Sequence, residues 1–142
     1  MKIRWSAIRW KPVLLAGIIP PVFSMIVVFL IVGVFAAGLA IQARGQPDQA
    51  RINQFANQIS PWVAPVLAIL LTVGAGLWVA RRVEEMAQLH GLLTGLIVAL
   101  IILILALVFG GPLNLTDALL FGLTLVAGWM GGWLGSREKS KA

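Results

Sequence analysis

His90, the only histidine in the chain, is the first side chain to weigh for chemistry. A lone histidine beside an apolar run could ligate a haem or chlorin, or relay protons. A metal site would want a second ligand at i±3 or i±4 on the same helix face, and those positions hold Met86, Ala87, Leu93 and Thr94. Glu84 and Glu85 lie six and five residues back, off that face. His90 also falls at one end of its helix, where water and headgroups can satisfy it, so it reads as a hydrogen-bonded structural histidine at an interface. Nucleophilic catalysis has less support. Ser24 is the only serine well inside an apolar run, and it stands roughly 20 Å along its helix from Lys11. A bond from Ser24 to His90, near the surface, is geometrically implausible.

The other polar residues point the same way. No apolar run contains paired carboxylates, and Asp117 falls at a helix start, where capping accounts for it. With no cysteine, thiolate metal sites and CxxCH haem attachment are excluded. Ser24, Thr72, Thr94 and Thr124 are the embedded polar set, and each can bond to its own helix. Ion-coupled transporters usually carry a charged or titratable group near the midplane. None is present, although Pro20-Pro21 could expose backbone groups to an ion. The expectation is a non-enzyme with no cofactor and no metal.

The elements that hold these residues are membrane spans. The 142 residues are 60% hydrophobic and only 11% charged, with a mean hydropathy of +0.97. Soluble domains are far less apolar. Four apolar segments emerge at about 12–41, 61–80, 90–109 and 117–135, the last three near the roughly 20 residues that cross a bilayer. The first is about 45 Å long as a continuous helix and must tilt, kink or protrude. Pro20 and Pro21 favour a kink. A basic start followed by an apolar stretch imitates a signal peptide, but thirty apolar residues are about twice the longest usual core of one, so an uncleaved first span is expected.

Charge sets the orientation. Nine of the eleven Lys and Arg residues fall in three clusters on one side: Lys2, Arg4, Arg9 and Lys11; Arg81 and Arg82; Arg137, Lys139 and Lys141. Only Arg44 and Arg51 fall on the other. The positive-inside rule puts both termini in the cytoplasm. It also explains the basic composition without nucleic acid, and makes anionic headgroups the partner of these residues. Trp5, Trp10, Trp62, Arg81, Arg82 and Arg137 are the expected interface anchors.

Boundary chemistry predicts Ser60-Pro61 as the start of the second helix, Thr116-Asp117 as the start of the fourth, and Glu84-Glu85 as the opening of the third. The stretch 42–60 becomes an outer loop. Within it Ile52, Phe55, Ala56 and Ile59 share one helical face, predicting a short amphipathic helix on the membrane surface, or else a docking surface for a partner.

Glycine supplies the packing signal. Gly91 and Gly95, Gly128 and Gly132, and Gly131 and Gly135 form three GxxxG pairs, a spacing that lets helix backbones approach closely. With Gly17, Gly74 and Gly76 they predict a tight waist on the terminal side and a bulkier opposite half. The seam could join helices of one chain or of a homo-oligomer. Two echoes suggest an internal repeat: Leu14-Leu15-Ala16-Gly17-Ile18-Ile19 with Leu92-Leu93-Thr94-Gly95-Leu96-Ile97, and a G-x-W-[VL]-[AG]-x-R pattern at Gly76 to Arg82 and Gly131 to Arg137.

The run from Gly74-Ala75-Gly76 to Arg81-Arg82, the segment His90-Gly91-Leu92-Leu93-Thr94-Gly95-Leu96, and Gly131, Gly132 and Gly135 together resemble the YrzE-like small four-helix membrane proteins of bacteria. The resemblance covers nearly the whole chain and departs at the polar first loop, Pro20-Pro21 and Glu84-Glu85. It implies a fold and a location, with no activity to carry over. The expected protein is an all-α membrane protein of four spans in two repeated hairpins. Its expected role is a scaffold or accessory subunit, with a small oligomeric transporter or channel as the alternative.

Overall fold

The computed structural model describes residues 8–83, 85–110 and 114–139. These form α1 (Trp10–Ala43), α2 (Gln49–Arg82), α3 (Ala87–Leu105), which ends in a π-helical turn (Ala106–Gly110), and α4 (Leu115–Lys139). All four helices are long and apolar enough to cross a membrane.

The chain packs as two antiparallel hairpins laid side by side. α4 sits against both α2 and α3, while α1 packs on α2 and α3 and makes no substantial contact with α4. Gly17 of α1 meets Ile97 of α3, and the Arg9 amide reaches His90, so α1 and α3 run the same way. Gly76 faces Gly131, and Ala80 faces Gly135, so α2 and α4 also run the same way.

Burial divides this bundle in two along its axis. The buried residues of α1 are Val13, Ala16, Gly17, Pro20, Pro21 and Ser24, at the three- and four-residue spacing of one helix face, and none follows Ser24. On α2 the buried residues run from Ala68 to Ala80, and on α3 from His90 to Ala99. The packed half is therefore the one nearer the termini, and a small cluster of Val13, Ala16, Val79 and Val83 fills it. Away from the termini burial falls off, although α1 and α2 remain paired there through Phe35 and Phe55.

Several boundaries differ from the sequence expectation, each for a local reason. α2 begins at Gln49, capped by Asp48, whose Oδ1 accepts from the Ala50 amide at 2.9 Å. Residues 49–60 are thus the first turns of α2, not a separate surface helix, and Pro61 lies inside the helix rather than at its start. The amphipathic face was correctly spaced for a helix, but its partner is α1: Phe55 stacks on Phe35 with ring centroids 4.0 Å apart. Helix spacing alone does not distinguish a lipid surface from a neighbouring helix. α4 is capped by Asn114 rather than Thr116, through a reciprocal box in which Asn114 Oδ1 accepts from the Asp117 amide and Asp117 Oδ2 from the Asn114 amide. α3 opens after Glu85, from Met86 in the left-handed region (φ 54°), with no acid in its first turn. Glu84 lies outside the described residues. α1 stays helical through Pro20 and Pro21.

α1 ends on Arg44, also left-handed at φ 49°, with its amide against the Ala40 and Ile41 carbonyls. Glycine occupies this conformation without the steric penalty of a Cβ. Arg44→Gly relieves a left-handed penalty of roughly 1–2 kcal/mol and is therefore expected to raise stability by up to that amount, read as a higher midpoint of thermal unfolding in detergent. An unchanged or lower midpoint would show that the arginine side chain contributes more than its backbone strain costs.

Candidate functional site

The six glycines of the GxxxG pairs converge on one seam joining α2, α3 and α4. A Cβ built at Gly91 would lie 2.5 Å from the Gly128 carbonyl oxygen and 2.7 Å from the Gly132 Cα. At Gly95 it would lie 2.8 Å from the Thr124 carbonyl oxygen, and at Gly132 2.8 Å from that of Ala87. At Gly128 it would meet the Gly91 carbonyl oxygen, at Gly131 the Val73 carbonyl, and at Gly135 the Ala80 Cβ. Real side chains do not tolerate such distances to backbone, so these helices approach to a separation only glycine allows. All six positions face helices of the same chain. Gly33, Gly38, Gly74 and Gly122, by contrast, have nothing within 4 Å of a built Cβ.

His90 closes the terminal end of this seam. It is fully buried, so it is satisfied by protein and not by water or headgroups as its place in the sequence suggested. Its Nε2 lies 3.2 Å from the Arg9 backbone nitrogen and its Nδ1 3.0 Å from the Met86 carbonyl oxygen. The Arg9 N–H can only donate, so Nε2 accepts, and Nδ1 carries the proton and donates to Met86. The same carbonyl accepts the His90 amide at 3.0 Å, which anchors the first turn of α3 on the left-handed Met86. Both ring nitrogens are thus engaged by backbone groups, one on either side of the ring.

The embedded hydroxyls turn inward in the same manner. Ser24 Oγ donates to the Pro20 and Pro21 carbonyls at 2.9 and 3.0 Å, a shared bond to its own helix. Thr72, Thr94 and Thr124 donate to the Ala68, His90 and Leu120 carbonyls, each four residues back. Among the described residues no buried side-chain nitrogen or oxygen lacks a partner.

Of the expected anchors, Trp5 lies outside the described residues. Trp10 and Trp62 face outward, 47% and 74% exposed. Arg81 and Arg82 form the basic last turn of α2. The Arg82 guanidinium lies over the Trp78 ring at 4.3 Å, and Arg137 lies over Trp133 at 3.8 Å. The two pairs share i, i+4 spacing, and the G-x-W-[VL]-[AG]-x-R pattern already held both. The tryptophans were legible in that pattern, though not as partners of the arginines.

Beyond the packed half the helices enclose a cavity of about 570 Å³. Every helix contributes to its wall: Pro21, Ser24 and Met25 from α1; Ala64, Pro65 and Ala68 among others from α2; Ile102 and Leu105 from α3; Leu120 and Thr124 from α4. No sequence motif marked this site. Its one advance signal was Pro65, a second proline within the turns that follow Pro61.

Four membrane-length helices, embedded polar groups bonded within the protein and an apolar interior together define a multi-pass α-helical membrane protein. Within that class, residues 49–135 match a family described as a protein of unknown function (DUF3792), and the chain belongs to that family. No curated protein and no solved structure matches the chain.

Proposed function

We propose that this protein is a non-catalytic scaffold or accessory subunit of the bacterial cytoplasmic membrane, with both termini cytoplasmic, packing with itself or with a larger membrane complex. The observation that carries this reading is the satisfaction, within the chain, of every embedded polar group among the described residues. Ser24, Thr72, Thr94 and Thr124 bond to their own helices, and His90 sits between Arg9 and Met86. No such group is left to bind or transform a substrate. The surface left for assembly is α1, whose most apolar window is only 6% buried. The glycine seam is already occupied within the chain, so self-association would run through α1 and not through Gly91, Gly95, Gly128, Gly131, Gly132 or Gly135.

Two further elements belong to this proposal. The matched Trp78–Arg82 and Trp133–Arg137 pairs, on neighbouring parallel helices, support descent of the two hairpins from one repeated unit. Their guanidinium groups, at the basic helix ends, suit anionic headgroups. Kinship with YrzE-like proteins rests on the glycine and HG motifs alone.

Purification of the tagged protein from its native membrane in mild detergent, with native mass and mass spectrometry, tests the reading. A stoichiometric larger partner or a defined homo-oligomer is expected; a monomer with no partner would count against it. The second reading, a small oligomeric transporter or channel, draws on the cavity. It requires water-accessible positions among Ser24, Thr72, Thr94 and Thr124, to be found by cysteine substitution and a polar thiol reagent. The chain has no native cysteine to interfere.

A further inference from the structure

We infer that the cavity lined by all four helices binds the acyl chain of a phospholipid, drawn from the leaflet that faces the α1–α2 connection. This inference does not depend on the scaffold reading.

The buried face of α1 ends at Ser24 and that of α3 at Ala99, and the cavity opens where they stop, with Ser24 and Ile102 in its wall. It therefore lies at the depth of apolar helix surface, within the hydrocarbon region. The departures from α-helical regularity also converge there. Pro21, Pro61 and Pro65 line it, and so does Ala106, the first residue of the π-helical turn. Each proline removes a backbone hydrogen bond, and π-turns within helices gather at functional sites. Three helices carrying such defects along one wall indicate a space that is shaped and kept open.

The chemistry of the wall selects the occupant. Ser24 and Thr124 are its hydroxyls at depth, and both donate to carbonyls of their own helices. A water molecule would find too few of the two to four partners it needs, and an ion would find no charge. What remains is hydrocarbon. The third hydroxyl, Ser60, is the lining residue nearest the α2 N-terminus, on the side where a headgroup would lie. The volume of about 570 Å³ falls inside the roughly 300–1,000 Å³ common for small-molecule sites.

Access is lateral. α1 and α4 lie on opposite sides of α2 and α3, and the way in is through the outer face of α1. Met25 both lines the cavity and is 55% exposed, which makes the interior continuous with the lipid-facing surface. A chain can enter from the side without crossing the glycine seam.

The test uses the full chain in vesicles of phosphatidylethanolamine and phosphatidylglycerol containing a trace of phospholipid with a diazirine in its acyl chain. After irradiation, adducts are mapped by peptide mass spectrometry. Adducts on Ile69, Leu105 and Leu120 are expected at several-fold the yield on Phe29 and Leu70, which face outward. Ala64→Phe and Ala106→Phe, made separately, fill the space with protein and are expected to return the cavity adducts to the level of the outer faces. Thermal stability of each variant establishes that it folds. Even labelling of all apolar faces, unchanged in both variants, would overturn the inference. So would labelling of Ser24→Cys or Thr124→Cys by a polar thiol reagent, which would make the cavity water-filled. Cross-links through Met25 to a second copy would overturn it by showing another chain in the space.

Discussion

Gly91→Leu and Gly131→Leu are each expected to prevent the α2–α3–α4 core from closing, so that the protein elutes from a sizing column as aggregate and loses protease resistance. The clash is with backbone. At Gly91 the first added carbon would already meet the Gly128 carbonyl oxygen and the Gly132 Cα, and at Gly131 it would meet the Val73 carbonyl. Backbone can yield only if two helices separate, which would undo contacts along the seam. Gly128→Ala, the smallest intrusion, is expected to cost at least about 1–3 kcal/mol, the range for added methylenes in a packed core. Gly74→Leu and Gly122→Leu provide the control, because both positions open onto empty space. They are expected to fold like the parent and to gain a little from higher helix propensity. Equal damage at all four positions would show that glycine matters here for some reason other than close approach. If Gly91→Leu folded normally but changed oligomer size, the seam would instead lie between chains.

The second large effect is expected at His90. His90→Leu removes the acceptor for the Arg9 amide and the ring donor to Met86 at a fully buried ring beside the exposed Arg9. An unsatisfied buried group costs about 1–3 kcal/mol, and the altered shape adds to it. The Met86 carbonyl keeps the His90 amide as a partner, so the loss concentrates at Arg9. Residues 8 and 9 should then detach from α3. The readouts are faster hydrogen exchange at the Arg9 amide and earlier cleavage by trypsin after Arg9. His90→Gln is expected to recover part of the protection, since its carbonyl oxygen can accept from the same amide. Slow exchange retained in His90→Leu would show that Ile8 and its apolar neighbours hold the segment without the imidazole.

The existence and order of the helices were legible because apolar length is a strong signal: an uncharged run of twenty or so apolar residues is seldom anything but a membrane span. The glycine positions were legible for a related reason, since small residues at four-residue spacing are useful only where helices touch. What the glycines touch was open, because a seam within one chain and a seam between chains use the same residues. The burial of His90 was beyond sequence reasoning, since its partner at Arg9 is 81 positions away. The start of α2 was missed because Ser60-Pro61 and Asp48 both carry helix-start chemistry, and only the apolar surface of α1 continuing past Phe35 favours the earlier one. The cavity was invisible for a deeper reason. Its wall draws on residues of all four helices that are far apart in sequence, and only the fold brings them together.

The unequal lengths of the two hairpins bear on how this protein sorts. α1 and α2 each run 34 residues, about 51 Å, whereas the α3 helix runs 19 residues, about 28 Å. A hydrocarbon core of about 30 Å matches α3 and falls well short of α1. Much of the excess on α1 is still apolar, with Val34 and Ile41 largely exposed. The bilayer beside α1 is therefore driven to thicken, or the molecule to lean, while the bilayer beside α3 and α4 is not. Such a lopsided footprint favours thicker regions of a membrane on one flank only. It gives neighbouring proteins of matching thickness a reason to gather along that flank, with no specific contact required.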